Sequence, residues 1–157
     1  MEPRIETLEP KKLVGMRERM TFSDNRTAQL WQRFIPRRAE VRARLGPEYI
    51  SMQVFENLDE RGFRPDTAFG KWAAVEVADH DGVPAGMEPY TLAGGKYAVF
   101  LHRGPASAAP RTFGYIFGTW LPASGYALDR RAHFELLPDN YRPDDPEAVE
   151  EVWIPIR

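Results

Sequence analysis

Apolar positions along this chain recur with two different periods, and the order in which the periods follow one another occurs twice. Residues 11–19 mix apolar and charged side chains at short range, as a first strand does, after an extended, proline-flanked lead over residues 5–10. Leu30, Trp31, Phe34 and Ile35 then fall at three-and-four spacing and predict a helix, with Ser23, Asp24 and Asn25 as candidate N-caps and Pro36 as a kink or split. Gly46-Pro47 ends it. Residues 49–55 and 72–77, rich in β-formers, predict two strands separated by a polar, turn-prone interval over residues 56–70.

The second pass opens with a strand at residues 96–100. Its helix starts between Ala108 and Thr112 and carries Phe113, Ile116, Phe117, Trp120 and Leu121 at helical spacing, until Pro122 and Gly125 stop it. A strand at residues 133–137 follows, and residues 150–156 close the sheet as an edge or terminal strand, where a proline is tolerated. Residues 79–89 form a turn-dense connection between the copies. The expected architecture is a single α+β domain spanning residues 1–157, built from duplicated β-α-β-β repeats at about 11–79 and 94–157. Pseudo-two-fold symmetry places a cleft between the repeats, and a cleft of that kind is a natural ligand groove.

Composition narrows the function classes. At 157 residues with 43% hydrophobic content the chain can bury one core and is too short for two domains of ordinary size. A net charge of -2 supplies no field for phosphate backbones or anionic membranes, so neither nucleic acid nor membrane is an expected partner. The crowding of Arg33, Arg37, Arg38, Arg42 and Arg44 around Phe34, Ile35, Val41 and Leu45 reads as the wet face of an amphipathic helix. The absence of cysteine removes disulfides and thiolate zinc sites. His80, His102 and His133 are dispersed, so no metal site and no cofactor are expected. Ser51, Ser107 and Ser124 lack a nucleophile-elbow context, and Gly94-Gly95-Lys96 lacks the spacing of a P-loop. The N-terminus carries no signal-peptide pattern and no segment reaches the roughly 18 apolar residues of a membrane span, which predicts a cytoplasmic protein.

Several strings, in order, carry a family resemblance: Val14-Gly15-Met16-Arg17, Leu30-Trp31-Gln32-Arg33-Phe34, the run 72–77, the run 93–100, the run 120–126, Phe134-Glu135 and Trp153-Ile154-Pro155-Ile156. With the duplication they resemble the GyrI-like small-molecule-binding domain, the Rob-like, SHS2-type effector-binding fold attached to AraC- and MerR-type multidrug-responsive regulators. The resemblance implies a groove that takes up amphipathic, often cationic or aromatic compounds, with a glutamate late in the second half at its base; Glu135 falls on that motif. The pattern starts within the first fifteen residues, so the chain is expected to be a stand-alone member without a DNA-binding domain. Such members resemble drug-sequestering proteins, inhibitors of DNA gyrase, or hydrolases that open strained cyclopropane rings.

The candidate site follows from these two lines of reasoning. Glu135 lies between Phe134 and Leu136-Leu137, where burial of a carboxylate costs several kcal/mol unless it is paired or neutralised. A cationic ligand relieves that cost, and a raised pKa equally suits a general acid or base. The competing reading is plain alternation, in which His133, Glu135 and Leu137 share a face that looks at water. Glu76, in Val75-Glu76-Val77, is the matching candidate in the first copy. Trp72, Tyr97, Trp120, Tyr126, Phe134 and Trp153 are candidate walls, while Phe113, Phe117 and Leu121 are assigned to the core. In the hydrolytic alternative Glu135 acts as base with Tyr97 or Tyr126 nearby; in the gyrase-inhibitor alternative an exposed face matters more than the groove.

Overall fold

The computed structural model describes residues 1–58 and 62–157. Among these, the strands are β1 (Arg4–Leu8), β2 (Lys11–Thr21), β3 (Tyr49–Phe55), β4 (Ala68–Val77), β5 (Glu88–Leu92), β6 (Gly95–Arg103), β7 (His133–Leu137) and β8 (Val149–Pro155). They form one sheet in the order β1-β6-β8-β7-β3-β4-β2-β5, antiparallel at every pairing. The fold is α+β and dominated by this sheet, which curls into a half-barrel.

Two strands arise where the sequence pattern shows a lead and a connection. Residues 5–10 supply β1, and the end of the 79–89 connection passes into β5, so each repeat is β-β-α-β-β. The reason lies in a bent two-stranded ribbon. β1 pairs with β6 from Arg4↔Val99 to Leu8↔Gly95, and after Glu9-Pro10 and Ala93-Gly94 the ladder resumes in unchanged register as β2 with β5, from Lys11↔Leu92 to Gly15↔Glu88. Pro10 has no N–H to give a ladder, which places the interruption there. Gly94 makes it compact: a Cβ at this position would run into the Leu8 carbonyl oxygen and lie 3.0 Å from Pro10 Cδ. Each repeat thereby lends its first strand to the other, and the two ends of the sheet are joined through the bend.

Helices cover one face only. α1 (Thr27–Phe34) starts after Asn25, whose side chain accepts the Thr27 N–H at 3.0 Å, and passes at Pro36 into a 3-10 turn over Ile35–Glu40, the split that the proline predicts. In the second repeat α2 (Ala109–Tyr115) runs through a π-helical stretch, Ile116–Trp120, into α3 (Leu121–Ser124). Pro122 does not stop this helix, because it sits in the first turn of α3 where its missing N–H costs little; Gly125, at φ 81°, is the stop. α1 packs with Val14, Met16, Ala73 and Val75, and the α2–α3 segment packs over Ala98, Phe100, Val152 and Ile154. The other face fills the curl with Leu8, Leu13, Met52, Trp72, Tyr97, Phe134 and Trp153.

β8 is not an edge strand as its proline suggests: it lies between β6 and β7, with Pro155 as its last residue. β3 and β7 join the repeats at the centre of the sheet, where Trp72, Met52, Phe134 and Trp153 form one row of partners across four strands. The arginine-rich segment has local partners. Arg33 donates to Glu18 at 2.6 Å, Arg37 to Glu40 at 2.7 Å, and the Arg44 guanidinium lies 4.5 Å from the centre of the Tyr49 ring.

The ribbon bend gives a prediction. Gly94→Ala must push apart backbone rather than a flexible side chain, so it is expected to destabilise the protein by about 1–3 kcal/mol. Gly118→Ala, with nothing within 4 Å of its added methyl, is the matched control and is expected to cost nothing measurable. Urea denaturation of the two variants beside the parent checks this; equal midpoints for both would count against the bend as a tight contact.

Candidate functional site

Since each helix covers the strands of its own repeat, the junction of β3 and β7 is left between them, and on the helix side of the sheet that junction is polar. Alternation on the paired strands brings Ser51, Gln53, Lys71, His133 and Glu135 to this face, with Glu150 one strand further on. All but Gln53 are buried. Glu135 is 8% exposed and Lys71 4%. Gln53 Nε2 donates to Glu135 Oε1 at 3.0 Å, and the Lys71 ammonium faces that same oxygen at 3.8 Å. Glu135 Oε2 is buried and has no hydrogen-bond partner.

Burial dominates the electrostatics. It raises the Glu135 carboxyl and lowers the Lys71 ammonium, and the attraction between them only partly offsets the desolvation of each. Burial also brings Glu150 up to about 7, helped by the Glu135 charge, against the opposing effects of Tyr141, His102 and Lys71. His133, desolvated with its Nε2 unpartnered, is held down to about 3 and stays neutral. The strip therefore holds two carboxyl groups and one ammonium with too few donors for all its oxygens.

Two connections close over this strip. From the β3–β4 connection, the Phe63 ring lies 4.7 Å from that of Phe117 on the π-helical stretch and 5.1 Å from that of Phe55, with the His133 ring 6.2 Å away. From the β7–β8 connection, Tyr141 lies beside Glu150 and lines a cavity of about 210 Å³ together with Pro138, Arg142, Asp145 and Val149. A second cavity, of about 330 Å³, lies on the opposite face between Arg17, Val54, Trp72 and Tyr90. Glu135 lines neither of them, so a ligand reaches it only if the aromatic cover moves.

The structure gathers few of the residues that the sequence nominates. Glu135 is at the floor between the helices, buried and not looking at water. Glu76 is not its counterpart: Glu135 is on the third main strand of its repeat and Glu76 on the fourth, pointing to the other face, where Lys11 binds it at 3.2 Å. Trp72, Tyr97, Phe134 and Trp153 are core residues of the curl on that other face. The Tyr97 hydroxyl donates to the Ala132 carbonyl at 2.7 Å and is pushed up to about 12 by burial, so it is not set beside Glu135 for ring-opening chemistry. Trp120 and Tyr126 stack on each other at 6.3 Å, with Trp120 edge-on to Phe100, two strands away from Glu135. Phe113 and Phe117, assigned to the core, pack against the second helix cluster, and Phe117 also faces His133 across the strip. Lys71, Gln53, Glu150, Tyr141 and Phe63 were not nominated. Strict alternation from Phe69 through Lys71 to Ala73, and from Glu150 to Val152, is the signal that identifies two of them.

Comparison with known proteins places the fold in a family. The whole chain, residues 1–157, matches the model of the GyrI-like small molecule binding domain. It is 31% identical over 157 residues to the transcriptional regulator BrlR of Pseudomonas aeruginosa, an alignment that covers 99% of this chain and 56% of BrlR, so the chain spans little more than half of that relative. Among solved structures, SAV2435 bound to tetraphenylphosphonium superposes with a TM-score of 0.72 at 20% identity, covering 100% of this chain and 94% of that one. The C-terminal domain of EcmrR superposes at 0.74 with 14% identity, covering 99% and 97%. Among the described residues, no helix is long and apolar enough to cross a membrane.

The buried acids set a pH dependence. Glu150 keeps its proton in the folded state to about pH 7 but loses it near 4.5 when unfolded, so its stabilising effect is complete below about pH 4.5 and is lost as the pH rises through 7. Glu150→Gln removes that loss. Relative to the parent, the variant is expected to gain on the order of 3 kcal/mol between pH 4.5 and pH 8. His133 acts in the opposite direction in both proteins and cancels in the difference. Urea denaturation across this range provides the readout, and a difference that stays flat with pH rejects the assignment.

Proposed function

The chain belongs to the GyrI-like small molecule binding domain family, and we propose that it takes up an amphipathic organic cation on the polar strip between its helices, for sensing or sequestering such compounds. One observation carries the proposal: Glu135 Oε2 is buried without a partner. An unsatisfied buried carboxylate oxygen is costly, and a positive charge delivered to it recovers that cost as binding energy. The aromatic rings of Phe55, Phe63 and Phe117 above the strip supply the apolar and cation-π surface that a bulky aromatic cation needs. The relative SAV2435, with the same fold, is known bound to tetraphenylphosphonium, a cation of this kind.

The closed cover sets the binding mode. With Phe63 resting on Phe117, the ligand has to part these two rings before it reaches the carboxylate, and Phe117 sits on the π-helical stretch Ile116–Trp120. Binding is therefore expected to be slower than a diffusion-limited encounter.

Charge preference tests the reading. Glu135→Gln keeps shape and removes charge, so it is expected to weaken tetraphenylphosphonium binding by about tenfold or more, about 1.4 kcal/mol, and to change binding of neutral triphenylphosphine oxide by less than about twofold. Calorimetric titration of both proteins with both compounds measures this. Equal losses for cation and neutral compound would sink the proposal.

A further inference from the structure

Lys71 has no place in a site built to receive a cation. Its ammonium is buried, points at the very carboxylate that carries the proposed function, and stands 3.8 Å from Glu135 Oε1, beyond hydrogen-bonding distance. Gln53, its register partner on β3, holds the same oxygen at 3.0 Å, while Oε2 is left bare. We propose that Lys71 is a tethered competitor: its ammonium occupies the site in the empty protein, and an incoming organic cation must displace it from Glu135. The inference rests on the reading above and deepens it, since it names the residue that sets the affinity threshold for that site.

The arrangement suits displacement more than permanent pairing. A structural ion pair in a dry interior has to be close and fully hydrogen-bonded to offset the loss of hydration, and this one is neither. Lysine presents a compact charge on a flexible four-carbon stem, whereas an arginine would fork onto the carboxylate and lock it. A second acid, Glu150, lies within electrostatic range of Lys71, and an ammonium displaced toward it favours its ionised form. The neighbours of Lys71 on this face include the small Ser51 and Ala73.

The consequence is a built-in discount on affinity. If Lys71 holds the carboxylate nine-tenths of the time, the apparent affinity of a competing cation falls about tenfold. Weak cations are then excluded while bulky aromatic ones, which gain contacts with Phe63 and Phe117, still displace the lysine.

Lys71→Met retains the stem and removes the charge. It is expected to bind tetraphenylphosphonium about tenfold more tightly than the parent, with neutral triphenylphosphine oxide changed less than about twofold, and to show no such gain when Glu135→Gln is also present. A Lys71→Met protein that binds the cation no better, or that gains equally for the neutral compound, overturns the inference while leaving the carboxylate reading intact. Equal losses for the cation and the neutral compound on Glu135→Gln alone overturn both. The parent protein gives a readout that needs no variant: the Lys71 ammonium signal, followed by nitrogen-15 NMR, is expected to shift and exchange faster with solvent once tetraphenylphosphonium is bound. An unchanged signal at saturation rejects displacement.

Discussion

The exchange of first strands between the two repeats is the constraint on which the rest depends. The bent ribbon of β1–β2 against β6–β5 ties the ends of the sheet together, so the sheet must curl, and the inside of the curl is filled by an apolar core around Tyr97, Phe134 and Trp153, with the cavity between Arg17, Val54, Trp72 and Tyr90 at its margin. On the outer face, two helical segments each cover two strands of one repeat and leave the β3–β7 junction between them. The place of the polar strip is set by this topology.

What occupies the junction is a small, crowded set of charges. Two acids, one ammonium, an uncharged imidazole and a carboxamide share a region with little water, and no arrangement of them satisfies every oxygen. The fold has no structural need for such a strip, since apolar residues of similar size would pack there at less cost. The cost is concentrated where the two repeats meet, with the Phe63 ring of the first repeat lying on Phe117 of the second.

Much of this was legible in the sequence, and the parts that were not have physical reasons. The duplication, the strands at residues 49–55 and 133–137, both helices and the position of Glu135 follow from periodicity that local burial enforces. β1 and β5 were hidden because a strand that pairs with a distant repeat carries no local signal, and Pro10 and Gly94 read as turn residues without revealing that the ladder continues past them. The wall residues were misplaced for a different cause. Large aromatics such as Trp72 and Trp153 look alike whether they line a groove or fill a core, and only the face they occupy decides. Lys71 gives no signal in a strand whose apolar run begins at Trp72, because its alternation shows only when β4 is followed back to Ala68. The hydrogen-bonded pair at the floor links residues 82 apart along the chain, beyond any local pattern.

The row formed by Trp72, Met52, Phe134 and Trp153 marks where the symmetry axis crosses the sheet, and it makes Gln53 and Glu135 equivalent positions of the two repeats. They touch each other. In a dimer of two identical single repeats, any residue at this position would meet its own copy: two glutamates would repel, and two glutamines would be neutral. Joining the repeats in one chain lets the two copies diverge, so a single charge can sit almost on the axis with an uncharged twin as its hydrogen-bond donor. A single chain therefore permits at this place what two identical repeats could not hold, one carboxyl group facing one carboxamide across the axis.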